Sequence, residues 1–245
     1  MTANLFFVEK RHSGGSDILL QGSEHHHLSR VARLGPGDEV WLFDEEGDRI
    51  RARVERITAE TTRLKITERR AAEARGPAVT LAQAVLKRNA MDEVVSGAVE
   101  WGIENLVPVL TERTVVKLGS GDSGKADRWR SVALAAAKQC KSGRVPSIEP
   151  VQRLDAFLAG ARPGRKLVLS EAGGRSLGEL AAEPAPADGA EKWIVLVGPE
   201  GGWAEREIES VVKAGFAPAS LGRRILRAST AALSAVAILT HARDL

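Results

Sequence analysis

Between residues 5 and 66 the chain alternates apolar and polar positions in short runs. Leu5–Val8, Asp17–Leu20, Glu39–Asp44, Arg49–Ile57 and Arg63–Ile66 are rich in β-branched or aromatic residues, which predicts five strands. Gly14-Gly15, Gly35-Pro36-Gly37-Asp38 and Glu46-Gly47-Asp48 supply the turns between them. One helical stretch, near 23–33, interrupts the series. Short strands plus a single helix predict a small N-terminal β-barrel over residues 1–75, ending at the linker Arg75-Gly76-Pro77.

After Pro77 the period switches back and forth between two and 3.6. Strands are predicted at Val79–Val85, Leu106–Leu110, Lys166–Leu169, Trp193–Val197 and Ala217–Leu221. Helices are predicted around Met91–Ala98, Trp129–Cys140, Leu177–Ala182, Ala204–Gly215 and Thr230–Arg243, with Glu183–Ala190 as a Pro/Ala/Gly loop. This order predicts an α/β domain over 76–245, built on a mostly parallel sheet. The last helix has almost no polar face. It is expected to be buried on all sides, between layers or in a subunit interface.

Composition narrows the setting. Cys140 is the only cysteine, which excludes an intrachain disulfide framework and a cysteine-based zinc site and points to a reducing, cytoplasmic compartment. The apolar run Ala231–Leu239 is far shorter than the ~18 residues of a membrane helix. The first ten residues lack the basic and apolar regions of a secretory signal. Net charge is only +3, but basic residues cluster: nine against four acidic over 49–75, and six against one over 125–144. Such patches suit a polyanion such as RNA. Arg49, Arg51 and Arg53 alternate with Ile50, Ala52 and Val54, so they line one face of a strand. Tyrosine is absent and phenylalanine scarce, so stacking on many bases is not expected to dominate. Glu24-His25-His26-His27 invites a metal reading, but adjacent helical histidines point in different directions, and no metal is expected there.

Two strand-to-helix crossings carry the candidate chemistry. Trp193–Val197 runs into Gly198-Pro199-Glu200-Gly201-Gly202, where glycines and helix-start N–H groups can face a ligand. It is neither a P-loop nor a G-x-G-x-x-G turn. The second crossing, Leu221-Gly222-Arg223-Arg224-Ile225-Leu226-Arg227, mixes apolar residues with arginines ahead of Ser229 or Thr230 as helix N-cap. Apolar walls for an adenine beside an arginine facing an anion would explain that mixture.

These two segments resemble the RsmE-like family of 16S rRNA (uracil-N3)-methyltransferases, of the SPOUT class. The resemblance extends to Leu86-Lys87 with Glu100-Trp101-Gly102-Ile103, to Trp129–Gln139 with Arg144 and Pro146, and to His26-His27-Leu28, Val31, Arg33 and Gly37-Asp38. It implies a PUA-like N-terminal domain and a SPOUT domain with a deep trefoil knot over about 193–245. It implies S-adenosyl-L-methionine as cofactor, a homodimer, and methylation of N3 of a uridine in the small ribosomal subunit (by resemblance uridine 1498).

The resemblance also implies residue roles. Leu169, Ser170, Gly198, Pro199, Glu200, Gly201, Gly202, Leu221, Gly222, Ile225, Leu226 and Arg227 would hold the cofactor. Arg227, Arg144 and Glu200 would serve catalysis, the arginines by stabilising charge on the uracil. His26, Arg30, Arg33, Arg49, Arg51, Arg53, Lys87, Arg113, Lys138 and Arg144 would contact RNA. Ser229 stands where the family often has an acidic residue, and Ala204 where it often has a Ser or Thr cap. Two other functions fit the same pattern of elements: a nucleotide-dependent α/β enzyme of another kind, and an RNA-binding assembly factor without catalysis.

Overall fold

The computed structural model describes residues 5–72, 76–87, 89–115, 123–184 and 192–241. Arg75 of the expected linker, residues 185–190 of the expected loop and Ala242–Arg243 of the last helix lie outside them. The chain divides into two units, Met1–Ala74 with Ala137–Val145, and Arg75–Ala136 with Pro146–Leu245.

In the first unit, β1 (Leu5–Phe7), β2 (Asp17–Gln21), β3 (Glu39–Phe43), β4 (Arg49–Ile57) and β5 (Thr61–Arg70) form a sheet in the order β1-β3-β4-β5-β2. Among the described residues only β1 and β3 run parallel. Alternation sends Phe6, Ile18, Leu20, Val40, Leu42, Ile50, Ala52, Val54 and Leu64 into one core, so all five strands close on the same apolar cluster. The expected barrel is corrected in one respect: β1 and β2 are the edges of the sheet, and no ladder joins them among the described residues. The helical stretch is α1 (Gly22–His26) followed by a π-helical turn over His27–Val31. It ends at Arg33, held at φ 53 in the left-handed region.

In the second unit the strands are β6 (Ala78–Ala84), β7 (Asn105–Leu110), β8 (Ser147–Ile148), β9 (Gln152–Arg153), β10 (Arg165–Leu169), β11 (Arg175–Ser176), β12 (Lys192–Val197) and β13 (Ala217–Ser220). Every pairing is parallel, in the order β11-β13-β10-β12-β6-β7-β8, with β9 also on β7. Trp193–Val197 of β12 are all buried, as strands covered on both faces must be. The helices are α2 (Asn89–Glu100), α3 (Ser123–Gln139), α4 (Leu154–Ala159), α5 (Leu177–Ala181), α6 (Glu205–Lys213) and α7 (Ala228–His241). Leu154 and Phe157 of α4 and Val211 of α6 share a core with Val168, Ile194 and Leu196. Helix α7 packs on α2, α5, β6 and β12.

Within one chain α7 buries Ala232, Ala235, Val236 and Leu239, a single stripe at helical spacing, and leaves its remaining apolar residues half-exposed. Its expected N-cap is corrected. The helix starts at Ala228, where Ala231 N–H donates to the Arg227 carbonyl at 2.8 Å. Arg227 therefore occupies the cap position, and Ser229 and Thr230 fall in the first turn.

Candidate active site

The carboxyl ends of β10, β12 and β13 open into one cavity of about 1150 Å³ in the second unit. Leu169, Ser170, Gly198, Pro199, Glu200, Gly201, Gly202, Leu221, Gly222, Ile225, Leu226 and Arg227 all line it. The two crossings therefore face the same space. Parallel pairing explains how: β10 lies between β12 and β13, so the chain must cross over β10 between its two glycine-containing turns. Ala219, Ser220 and Trp203 also line the cavity, and the sequence alone did not single them out.

The walls are mainly backbone and apolar side chains. Ile225 is 78% exposed at the cavity, an apolar surface without a protein cover. The first turn of α7 also lines the cavity through Ala228, Ser229 and Ala231, so the positive end of a 14-residue helix lies at the site beside the exposed Arg227.

The turn after β12 is locked from beneath. Trp203 Nε1–H donates to the Leu169 carbonyl at 3.0 Å. A Cβ at Gly198 would meet the Trp203 indole at 3.0 Å, so glycine at 198 makes room for the indole. Gly202 is required for a different reason, its φ of +69. Glu200 Oε1 accepts from Lys87 N–H at 3.1 Å, tying this turn to the loop after β6. Arg113 Nη1 donates to the Gly201 carbonyl at 3.0 Å.

Glu207, expected with Glu205 only to favour the helix dipole at the uncapped α6 start, does more than that. It is buried, accepts from Ala204 N–H at 3.1 Å through Oε2, and accepts from Glu112 N–H at 2.7 Å through Oε1. Ala204 has no side chain to cap α6, so the carboxylate three residues on satisfies the helix start. Its spacing from Ala204 was the available signal. Gln83, fully buried on β6, donates to the Ala84 carbonyl at 2.9 Å, while its Oε1 has no partner among the described residues.

The remaining expected residues lie elsewhere. Arg144 belongs to the first unit, half-buried with its side chain against Gly47, and is not among the cavity's lining. His26, Arg30 and Arg33 are exposed along the α1 segment. Arg51 pairs with Glu39 at 2.5 Å, and Arg53 approaches the same carboxylate at 3.6 Å. Lys138 is mostly buried in an ion pair with Glu24, so its charge is engaged within the first unit rather than presented to solvent. No group of three or more His, Cys, Asp or Glu among the described residues could hold a metal ion. No helix there is long and apolar enough to cross a membrane.

Comparison with known proteins agrees with this geometry. Residues 74–240 match the family described as an RNA methyltransferase domain, and residues 20–67 match the RNA methyltransferase PUA domain. The ribosomal RNA small subunit methyltransferase E of Mycobacterium bovis is 31% identical over all of this chain and 95% of its own length. The protein of that name from Synechocystis is 33% identical over 90% of this chain and 71% of its own. Among solved structures, the Neisseria gonorrhoeae ribosomal RNA small subunit methyltransferase E bound to S-adenosyl methionine superposes with TM-score 0.86, at 27% identity over 97% of this chain and 96% of that one. A Legionella pneumophila protein in complex with bound SAM gives TM-score 0.88, at 27% identity over 99% and 98%. With a PUA-like domain ahead of a parallel α/β domain whose two turns share one cavity, the chain belongs to the ribosomal RNA small subunit methyltransferase E family of RNA methyltransferases.

Proposed function

We propose that the chain methylates 16S rRNA of the small ribosomal subunit with S-adenosyl-L-methionine as donor, at N3 of one uridine, by resemblance uridine 1498. The observation that carries this reading is the single cavity shared by Gly198–Gly202 and Leu221–Arg227. Its lining fits the donor: apolar walls from Leu169, Leu221, Ile225 and Leu226 suit an adenosine, and backbone groups of the glycine turns suit its polar edge. When bound, the donor supplies a methyl group on a sulfonium sulfur.

The chain's own groups do the rest. N3 of uracil carries a proton and is a poor nucleophile until that proton leaves to solvent. Arg227 and the start of α7 present positive charge to the negative charge that N3, O2 and O4 share once the N3 proton has left, stabilising the anion that takes the sulfonium methyl. Glu200 acts as a positioning residue through Lys87 N–H. In the first unit, Arg49, Arg51, Arg53, His26, Arg30 and Arg33 form the surface for the RNA backbone. Arg144 serves RNA from that unit as well.

Further readings rest on the resemblance. The division falls near 75/76, the segment 193–245 is threaded as a trefoil knot, and two copies form the active enzyme in the cytoplasm. The half-exposed apolar flank of α7 and the exposed Trp101 support a homodimer. Small subunits lacking the modification, incubated with labelled S-adenosylmethionine and digested to nucleosides, should yield 3-methyluridine by mass spectrometry. Label in any other nucleoside, or none, rejects this assignment.

A further inference from the structure

A second, smaller cavity lies wholly within the first unit. Its volume is about 200 Å³, and Leu5, Trp41, Arg49, Arg70 and Lys141 line it. Sites for drug-sized ligands begin at ~300 Å³, so this one suits a single small moiety.

Register builds it. Arg49 and Arg70 are cross-strand partners on β4 and β5, and Trp41 on β3 pairs with Leu5 on one side and Arg51 on the other. Trp41 sits at an outward position between the buried Val40 and Leu42, half-exposed. The Arg70 guanidinium lies 5.1 Å from its ring centroid and that of Arg51 6.0 Å.

The charges are not balanced. Arg51 is paired with Glu39 and Arg70 with Glu68, both at 2.5 Å. Among the described residues neither Arg49 nor Lys141 has a carboxylate partner. Instead Arg49 Nη2 donates to the Lys141 carbonyl at 2.7 Å, which places these two cations at the same mouth. A Cβ on Gly143 would stand 3.2 Å from the Arg49 guanidinium, so the loop after α3 lies directly against it. Lys141 itself holds φ at 57, a left-handed conformation that glycine adopts more freely than lysine.

We propose that this cavity anchors one nucleotide of the RNA away from the reacting uridine, with its phosphate held by Arg49 and Lys141 and its base packed on the Trp41–Arg70 stack. An aromatic face accepts any base, so the anchor reads the presence of a nucleotide and not its identity. This inference rests on reading the first unit as an RNA-binding surface. It is compatible with the expectation from composition that stacking on many bases does not dominate: one tryptophan serves one position.

The test uses the full-length protein and a labelled single-stranded RNA of about a dozen nucleotides, followed by fluorescence anisotropy across a salt series. Trp41→Ala should weaken binding at least ~5-fold, and Trp41→Phe should recover most of the loss. Lys141→Gly should also weaken binding and reduce the salt slope by ~0.7, one phosphate contact, without lowering the thermal midpoint, because glycine adopts the same φ freely. Calorimetric affinity for S-adenosylmethionine should stay unchanged in all three. Wild-type-like RNA binding by folded Trp41→Ala and Lys141→Gly overturns the anchor alone. A wild-type protein with no salt-dependent RNA binding overturns the first-unit reading and the anchor with it.

Discussion

The two units meet their ligands by opposite means. The cavity of the second unit is made of glycine turns, a helix start and apolar walls, with Arg227 as its one exposed cation predicted for chemistry. The surface of the first unit is made of side-chain charge around one tryptophan. A site of the first kind depends on backbone conformation and is held by remote contacts such as Trp203 to Leu169 and Glu207 to Glu112. A site of the second kind depends on unpaired charge and is weakened by salt. Substitutions should therefore sort by unit: donor affinity and rate in one, RNA affinity and salt slope in the other.

The largest effect is expected at Arg227. Arg227→Ala should lower kcat at least ~10²-fold while donor affinity changes less, because the charge it offsets develops on the uracil as N3 loses its proton and is absent when the donor alone is bound. An unchanged kcat removes Arg227 from catalysis and leaves the α7 start alone in that role.

Next comes Glu207→Gln. The carboxylate accepts two backbone N–H groups, one on each oxygen. A carboxamide can accept only one and turns its NH₂ toward the other. Unfolding in urea should show a loss of roughly 1–3 kcal/mol, with donor affinity falling alongside. Equal stability would mean that the loop after β7 rearranges at no cost.

A smaller contrast lies within β4. Arg49→Ala should weaken RNA binding more than Arg53→Ala, since Arg53 already faces Glu39, whereas among the described residues Arg49 donates to a carbonyl and has no carboxylate partner. Each lost phosphate contact reduces the salt slope by ~0.7 for single strands. Equal losses would show that pairing with Glu39 does not screen Arg53.

The smallest contrast is in acid. Arg162 donates to both oxygens of Glu149 at 2.7 and 2.8 Å and holds that carboxyl below the ordinary value of 4.5. Its stabilisation is full above 4.5 and is lost as pH falls through the lowered folded value. Asp44 in the first unit is raised above 3.8 by burial, against N–H donors from Asp48 and Glu46. The sign reverses there: protonation relieves the buried charge, so that contribution is present below 3.8 and lost as pH rises through the raised folded value. Hydrogen exchange followed during acidification should show Arg162→Met flattening the pH dependence around Glu149 and leaving the turn at Asp44 unaffected.

The two crossings were legible because both signals are local: an apolar strand, then glycine, then a helix start. The longer strands in both units followed from alternation and apolar runs for the same reason, whereas β8, β9 and β11, two residues each, are too short to show either and were not expected. Helix α4 was missed because Leu154–Ala159 is under two turns long, too short to display a period. Lys138 read as a free cation because its partner, Glu24, is 114 residues away in sequence. The placement of 137–145 with the first unit is likewise non-local. Helix α7 looked buried all round because its alanines and leucines do not record which face has a partner. Trp41 looked ordinary until register brought Arg49, Arg51 and Arg70 around it.

The central claim is that the turns after β12 and β13 form one donor pocket. Titration calorimetry with S-adenosylmethionine tests it most directly, on the full-length protein and on Gly198→Val, whose side chain would displace the Trp203 indole. Saturable heat from the wild type, and a loss of it in a folded Gly198→Val, is the predicted result. No heat from the wild type, or equal heat from both, contradicts it.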